Sequence, residues 1–363
     1  RPPEARRLTI SRKGAHSQLA QGASQMRTLV AAAGLLLACQ VATGQVSFGG
    51  GQSLYIQPSV RSAGMGDCTV AVIEDATAGS WNPGGLAFME GDISAGAVFS
   101  QLVPDWDDVY YWYGSAGVRV ADPVVLAVSV TYLTCGEQYA TSGGDPDIIG
   151  TLDSWELVPS GALGVTIGEH PGFGLNLKYI RAELAPAEYT VEGVGGEGSA
   201  FAADLGVEGR LRADAGGLGI LLRAGLAAQH LGTDVEYDDG DQDHPLPRRI
   251  KLGASAEASY GRAFEALLCT QVDKYIVGGF DNGSDPILGA GIELAGSVIG
   301  LVEEMGSAGG IGARDLLAVR AGYVHDEDGE IKDYSVGFGA GCDLGESLRL
   351  TADFANVPQP EGL

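Results

Sequence analysis

The chain predicts an all-β fold: a transmembrane antiparallel β-barrel preceded by a distinct N-terminal segment. Three observations lead there. Apolar residues alternate with polar or very small ones in runs of about ten, which is how a strand with one lipid face and one luminal face reads. Glycine makes up 57 of 363 residues, about twice the usual share, and it falls inside those alternating runs. An export leader stands ahead of them, and no later run holds the roughly 18 uninterrupted apolar residues a membrane helix needs.

The elements follow from the N-terminus. Residues 1–25 carry five Lys/Arg, one acid and no apolar periodicity, and are read as an upstream extension ahead of the true start. Met26-Arg27 opens a signal peptide over 26–44. Its apolar run is Leu29–Ala38 and its small-x-small site is Ala42-Thr43-Gly44. Leu36-Leu37-Ala38-Cys39 offers a second processing reading, with Cys39 acylated after cleavage. Removing residues 1–44 takes Lys+Arg from 22 to 16 and Asp+Glu from 47 to 46, a balance near −30. Nucleic acid is thereby excluded as a partner, because phosphate contacts need a positive face.

Residues 45–90 precede the alternating runs as a separate segment. The stretch is Gly-rich and mildly apolar, with an acidic pair at Glu74-Asp75 and the punctuation Trp81-Asn82-Pro83-Gly84-Gly85. Pro83 fixes its own φ and drives Asn82 to extended geometry. Gly84 and Gly85 permit close passage against a wall. The functional reading is a turn that gates a lateral or luminal route; the alternative is a turn that merely starts the first strand. Gly64, Met65, Gly66, Asp75 and Trp81 are the expected packing residues.

Residues 91–363 read as the barrel, with strands at 91–103, 109–120, 123–135, 153–168, 172–184, 200–212, 217–231, 248–260, 262–275, 285–296, 315–326, 332–344 and 346–356. In Ile250–Tyr260, Ile250, Leu252, Ala254, Ala256, Ala258 and Tyr260 oppose Lys251, Gly253, Ser255, Glu257 and Ser259. In Tyr334–Leu344, Val336, Phe338, Ala340 and Cys342 oppose Ser335, three glycines and Asp343. Strands in soluble sandwiches alternate too, but average five or six residues. The greater length here favours the barrel, as do aromatics near strand ends: Tyr110–Tyr113, Tyr179, Tyr260, Tyr275 and Tyr323, the makings of interfacial girdles. A soluble periplasmic β-sandwich that binds a partner remains the reading from a different class.

Single-chain bacterial barrels use an even strand number. The strands above number thirteen, so either the last strand is missing after Pro358–Leu363 or 297–312 supplies one. Short connections at 121–123, 169–172 and 213–217 are expected on the periplasmic side. The longer acidic ones at 134–153, 185–199, 233–247 and 325–332 are expected outside. The inward set Asp204, Glu208, Arg210, Lys251, Glu257, Arg320, Arg349 and Asp353 either lines a polar pore or forms a salt-bridged plug.

Other chemistry is not indicated. Cys68, Cys135, Cys269 and Cys342 are widely spaced, without a CxxC; an even count in an oxidising compartment permits disulfides, but the outward position of Cys342 and the inward one of Cys269 speak against them. The five His lack ligand spacing, so neither metal nor cofactor is expected. Asp238–His244 lacks the spacing and closing Glu of a calcium loop. There is no nucleophile elbow or phosphate loop, and the Gly-x-Gly repeats lie within strands, so no enzyme is expected.

The pieces Ala63-Gly64-Met65-Gly66, Val70-Ala71-Val72, Asp75-Ala76-Thr77-Ala78 and Trp81–Ala87 resemble the hatch of the PorV/PorQ family of outer-membrane β-barrels, relatives of the FadL-type transporters. Gly84 stands where that family usually has Ala. Ala200–Gly206, Leu226–Gly232, Leu246–Gly253 and Val319–Tyr323 resemble its strand phrases, so the similarity spans most of residues 53–356. The resemblance implies a barrel of about 14 strands with an N-terminal hatch segment over residues 45–90, the bacterial outer membrane, contact with its lipid, and one of two roles. One is an accessory of type IX secretion, whose partners are secretion-machinery proteins and the signal domains of secreted substrates. The other is FadL-like passive transport of hydrophobic small molecules.

Overall fold

The computed structural model describes residues 50–56, 58–103, 108–142, 145–168, 170–189, 195–237, 244–261, 263–277, 279, 284–297, 313–329, 331–344 and 348–356. The expected leader (1–44), most of the 297–312 insertion, the acidic loop 238–243 and the tail 357–363 lie outside the described residues.

The described chain is one curled antiparallel sheet and a segment packed on its inner face. The strands are β1 (Ile93–Gln101), β2 (Val109–Ala121), β3 (Val124–Ser142), β4 (Asp145–Thr166), β5 (Pro171–Glu183), β6 (Glu197–Ala215), β7 (Leu218–Gly232), β8 (Glu236–Tyr237), β9 (Arg249–Tyr260), β10 (Phe264–Tyr275), β11 (Ile287–Gly296), β12 (Ala313–Asp326), β13 (Ile331–Leu344) and β14 (Leu348–Asn356). Each pairs with its sequence neighbour, except that two-residue β8 lies off the path on β6 and β7 pairs directly with β9. The thirteen long strands correspond one to one with the thirteen read from alternation, with β3 and β4 running well past their expected bounds, and β8 brings the sheet to 14. β1 and β14 end the path without a register between them among the described residues.

The faces divide as period 2 dictates. Phe99, Val128, Leu177, Phe201, Leu205, Leu268, Leu317, Val319, Phe338 and Phe354 point outward and stay exposed. So much apolar surface on one side of a sheet is a lipid face. The inner face holds Asn176, Lys178, Asp204, Glu208, Arg210, Arg223, Lys251 and Gln271, all buried.

Segment 50–90 is covered by that inner face. It has a 3-10 turn at Gln52–Leu54 and single-turn helices at Val60–Ala63, Ala78–Trp81 and Pro83–Leu86. It touches strands from both ends of the path: Ala76 N bonds Ser94 Oγ on β1, and Glu90 pairs with Arg349 on β14. A sheet whose two end strands both reach one 41-residue segment has curled around it.

Three sequence expectations need correction. The loop expected at 134–153 is largely strand, because β3 runs to Ser142 and β4 starts at Asp145. The register shifts between Thr134 and Glu137, where Gly136 takes φ +70°. That bulge flips the alternation, so the period-2 signal stops while the strand goes on. Tyr111 and Tyr113 are not girdle residues but buried in the lumen, and Tyr275 also turns inward to stack on Tyr55 at 5.7 Å. The turn expected at 213–217 shrinks to Gly216-Gly217, both at positive φ, the geometry of a two-residue hairpin.

The lipid face gives a first prediction. Leu268→Arg places a charge outward on mid-β10 and is expected to cost about 2–4 kcal/mol if it lies at the bilayer midplane. Urea unfolding from lipid vesicles reads the change; an unchanged midpoint would place Leu268 away from lipid.

Candidate functional site in the barrel lumen

The site is the seat of the 50–90 segment on the inner wall. Asn82 lies at its centre, buried in extended geometry at φ −143°. Its Oδ1 accepts from Gly84 N at 3.1 Å and caps the Pro83–Leu86 turn. Its Nδ2 donates to Val70 O at 2.8 Å and to Val207 O on β6 at 3.1 Å. One amide therefore ties the turn to itself, to an earlier part of the segment and to the wall. Pro83 at the first helical position lacks an N–H that would otherwise need a partner.

The wall makes room with glycine. Gly164, Gly174 and Gly206 lie in direct register across β4, β5 and β6. A Cβ on Gly174 would strike the Pro83 carbonyl, and one on Gly206 would strike Asn82 Oδ1. A second pair, Gly291 and Gly322 on β11 and β12, receives the backbone of Met65 and Gly66 in the same way. Gly66 itself sits at φ +64° and donates to Ser335 Oγ at 3.1 Å, and Gly64 approaches Gly337 on β13. Met65 is fully buried.

The segment has little regular secondary structure, so its backbone groups must find partners elsewhere. Wall side chains supply them. Gln271 Oε1 accepts from Thr69 N at 2.9 Å and Val70 N at 3.0 Å, while its Nε2 donates to Asp67 O at 3.0 Å. Gln229 Nε2 donates to Ser80 O and Trp81 O, at 2.8 and 2.9 Å. Ser255 Oγ donates to Ala71 O at 2.6 Å. Near the start of the segment, Ser53 N donates to Glu156 Oε1 at 3.0 Å. Trp81 is buried with Ile73, Leu86, Met89 and Val125, and Lys251 Nζ lies 5.3 Å from its ring centre.

Charges are matched across the same interface. Glu74 receives Arg210 at 2.6 Å and Arg223 at 2.9 Å; Arg210 also holds Glu208 at 2.6 Å, and Arg223 holds Glu257 at 2.7 Å. Arg61 reaches Glu293 at 2.6 Å, and Glu293 also takes Arg320, which holds Asp353 at 2.6 Å. Within the wall, Lys178 pairs with Asp204 at 2.7 Å and Lys251 with Asp273 at 3.2 Å. Burial alone raises the Glu74 carboxyl, but Arg223, Arg210 and Arg61 outweigh it and hold it below the usual carboxylate range.

Two sequence-predicted residues stand apart. Arg349 is not packed in the lumen: its side chain is 48% exposed and bonds Asp343 and Glu90. Asp75 is exposed and caps its own turn, accepting from Thr77 N at 2.8 Å. Sequence reasoning missed Glu74, Arg223, Gln229, Gln271, Glu293 and His230 as site residues. Arg223 and Gln229 were findable from the period-2 inward row 221, 223, 225, 227, 229 on β7. His230 was not. A bulge opposite Asp204 puts it inward directly after Gln229, at φ +60°, with its N bonded to Asp204 Oδ1 at 2.8 Å.

A cavity of about 30 Å³ lies between segment and wall, lined by Ser80, Trp81, Tyr111, Tyr113, Lys178 and His230 among others. That is room for one or two waters. An open recess of about 430 Å³ adjoins Glu74, Glu90, Arg212, Arg223 and Glu257.

Two outcomes are expected. Gly174→Val overpacks the seat and is expected to cost about 1–3 kcal/mol and expose the segment to protease, whereas Gly161→Val, whose Cβ meets nothing within 4 Å, leaves cleavage unchanged. Equal cleavage of the two variants would contradict the glycine seat. For Glu74, the folded pKa lies below the unfolded one. Its contribution is therefore present above the unfolded value near 4.5 and lost as pH falls through the folded value. Glu74→Gln removes that acid-dependent part and loosens the segment at neutral pH by about 3 kcal/mol. Protease protection followed from pH 7 to pH 3 checks both; identical profiles would contradict the pairing.

None of the curated proteins matches the chain. Among solved structures, the chain is similar to a Pseudomonas aeruginosa FadL homologue at 9% identity and TM-score 0.45, covering 85% of this chain and 90% of that one. It is similar to the Pseudomonas putida toluene transporter TodX at 11% identity and TM-score 0.46, covering 87% and 94%. Residues 41–279 match the family described as type IX secretion system protein PorV. With a lipid-facing sheet, a polar lumen and a match over well more than half its length, this chain belongs to the PorV family of bacterial outer-membrane proteins.

Proposed function

We propose that this chain is an accessory of type IX secretion that receives exported proteins by their C-terminal signal domains and passes them to surface attachment. Secretion-machinery proteins are its further partners. The observation that supports this reading is the N-terminal segment seated in the lumen. The segment is bonded to the wall by Asn82, Gln229, Gln271 and the Glu74 pairs, and the space beside the Trp81 turn is of water size. Such a barrel suits a platform for protein partners. FadL-like diffusion of hydrophobic molecules needs an apolar inner route, and the inner face here carries Lys178, Asp204, Glu208, Arg210 and Lys251.

The test is loss of the gene in its native host with two readouts. Proteins bearing C-terminal signal domains are expected to accumulate unattached, and to be recovered crosslinked to this chain from native membranes. Normal surface attachment, combined with impaired uptake of a hydrophobic solute, would overturn the reading in favour of transport.

A further inference from the structure

The four cysteines among the described residues are free, and they divide sharply: Cys135 and Cys342 are exposed, Cys68 and Cys269 buried. The buried two lie on different parts of the molecule, Cys68 on the N-terminal segment and Cys269 on β10. They share one apolar cluster with Met65, Val72 and Leu267. Both sulfurs lie against β11: a Cβ on Gly289 would stand 3.6 Å from Cys68 Sγ, and Cys269 Sγ donates weakly to Gly291 O at 3.5 Å. We propose that Cys68 and Cys269 are a redox pair whose disulfide ties the N-terminal segment to the barrel wall.

The surroundings favour the bond. Cys68 is anchored on both sides: Gly66 N bonds Ser335, and Thr69 N and Val70 N bond Gln271, which lies two residues beyond Cys269 on the same strand and face. The two sulfurs are thus brought back to the same place each time the segment seats. The outer membrane lies in an envelope where disulfides form and persist. Neither thiol takes part in the ion pairs.

The chemistry balances with an envelope disulfide, of a protein or a small thiol, as oxidant. One cysteine thiolate attacks that disulfide, forming a mixed disulfide and releasing one thiol. The other cysteine then attacks the mixed disulfide, forming the Cys68–Cys269 bond and releasing the second thiol. Two electrons and two protons pass to the oxidant's sulfurs. The neighbouring Cys269 and burial push the Cys68 thiol up, and both sulfurs are shielded from solvent while the segment is seated. The first step thus occurs with the segment lifted and the second on reseating. The bond records one opening and closing, then holds the segment shut until a reductant reaches it.

The test uses the full chain in outer membranes, as Cys135→Ser/Cys342→Ser, with and without Glu74→Gln to ease lifting of the segment. Membranes are challenged with oxidised glutathione, denatured in alkylating agent and peptide-mapped. The expected result is a linked peptide joining residues 68 and 269, the loss of both alkylation sites, and slower proteolysis of segment 50–90 that dithiothreitol reverses. Cys68→Ser abolishes all three. Full alkylation of both thiols after the challenge, in both backgrounds, overturns the pair; a linked peptide without any change in proteolysis overturns the tether. Neither readout depends on the secretion role, so that reading stands or falls separately.

Discussion

The barrel's inner wall carries charges that lipid cannot receive and water only partly reaches, and everything in the lumen depends on how they are neutralised. Arg210 and Arg223 are buried on adjacent strands, β6 and β7. Glu208 and Glu257 take one bond each from them, and Glu74, delivered by the N-terminal segment, bridges both. Removing one partner of such a set leaves an uncompensated buried charge, which costs more than the pair itself contributes. The wall and the segment are therefore each incomplete without the other.

The same reciprocity governs the backbone. The segment turns too often to satisfy its own N–H and C=O groups, and the wall places Gln229, Ser255 and Gln271 where those groups fall. Glycine rows on β4–β6 and β11–β12 let the main chain approach closely enough for this. Outward, the requirement is reversed: Phe201, Leu268 and Phe338 carry no polar obligation and meet lipid. One strand pattern thus serves two solvents.

Much of this was legible in the sequence wherever period 2 held without interruption. The ranges of β9, β10 and β13 follow directly from alternation, and the inward sides of Asp204, Glu208, Arg210 and Lys251 with them. Legibility failed at bulges. Gly136 reverses the phase within β3, so the chain beyond it read as loop, and His230 turns inward out of phase on β7. Aromatic character misled at Tyr111 and Tyr113, since a Tyr near a strand end suits an interface as well as a polar lumen. The segment's contacts were illegible for another reason. Cys68 beside Cys269, and Glu74 between two arginines, join residues far apart in the chain, and no local period encodes that.

The central claim is that the N-terminal segment is a bonded part of the barrel. Hydrogen–deuterium exchange on the protein in lipid vesicles tests it most directly. The amides of Thr69, Val70 and Gly84, each bonded to a buried side chain, are predicted to exchange as slowly as those of β9 and β10. Exchange of those three amides at the rate of exposed turns, with the strands still protected, would contradict the account.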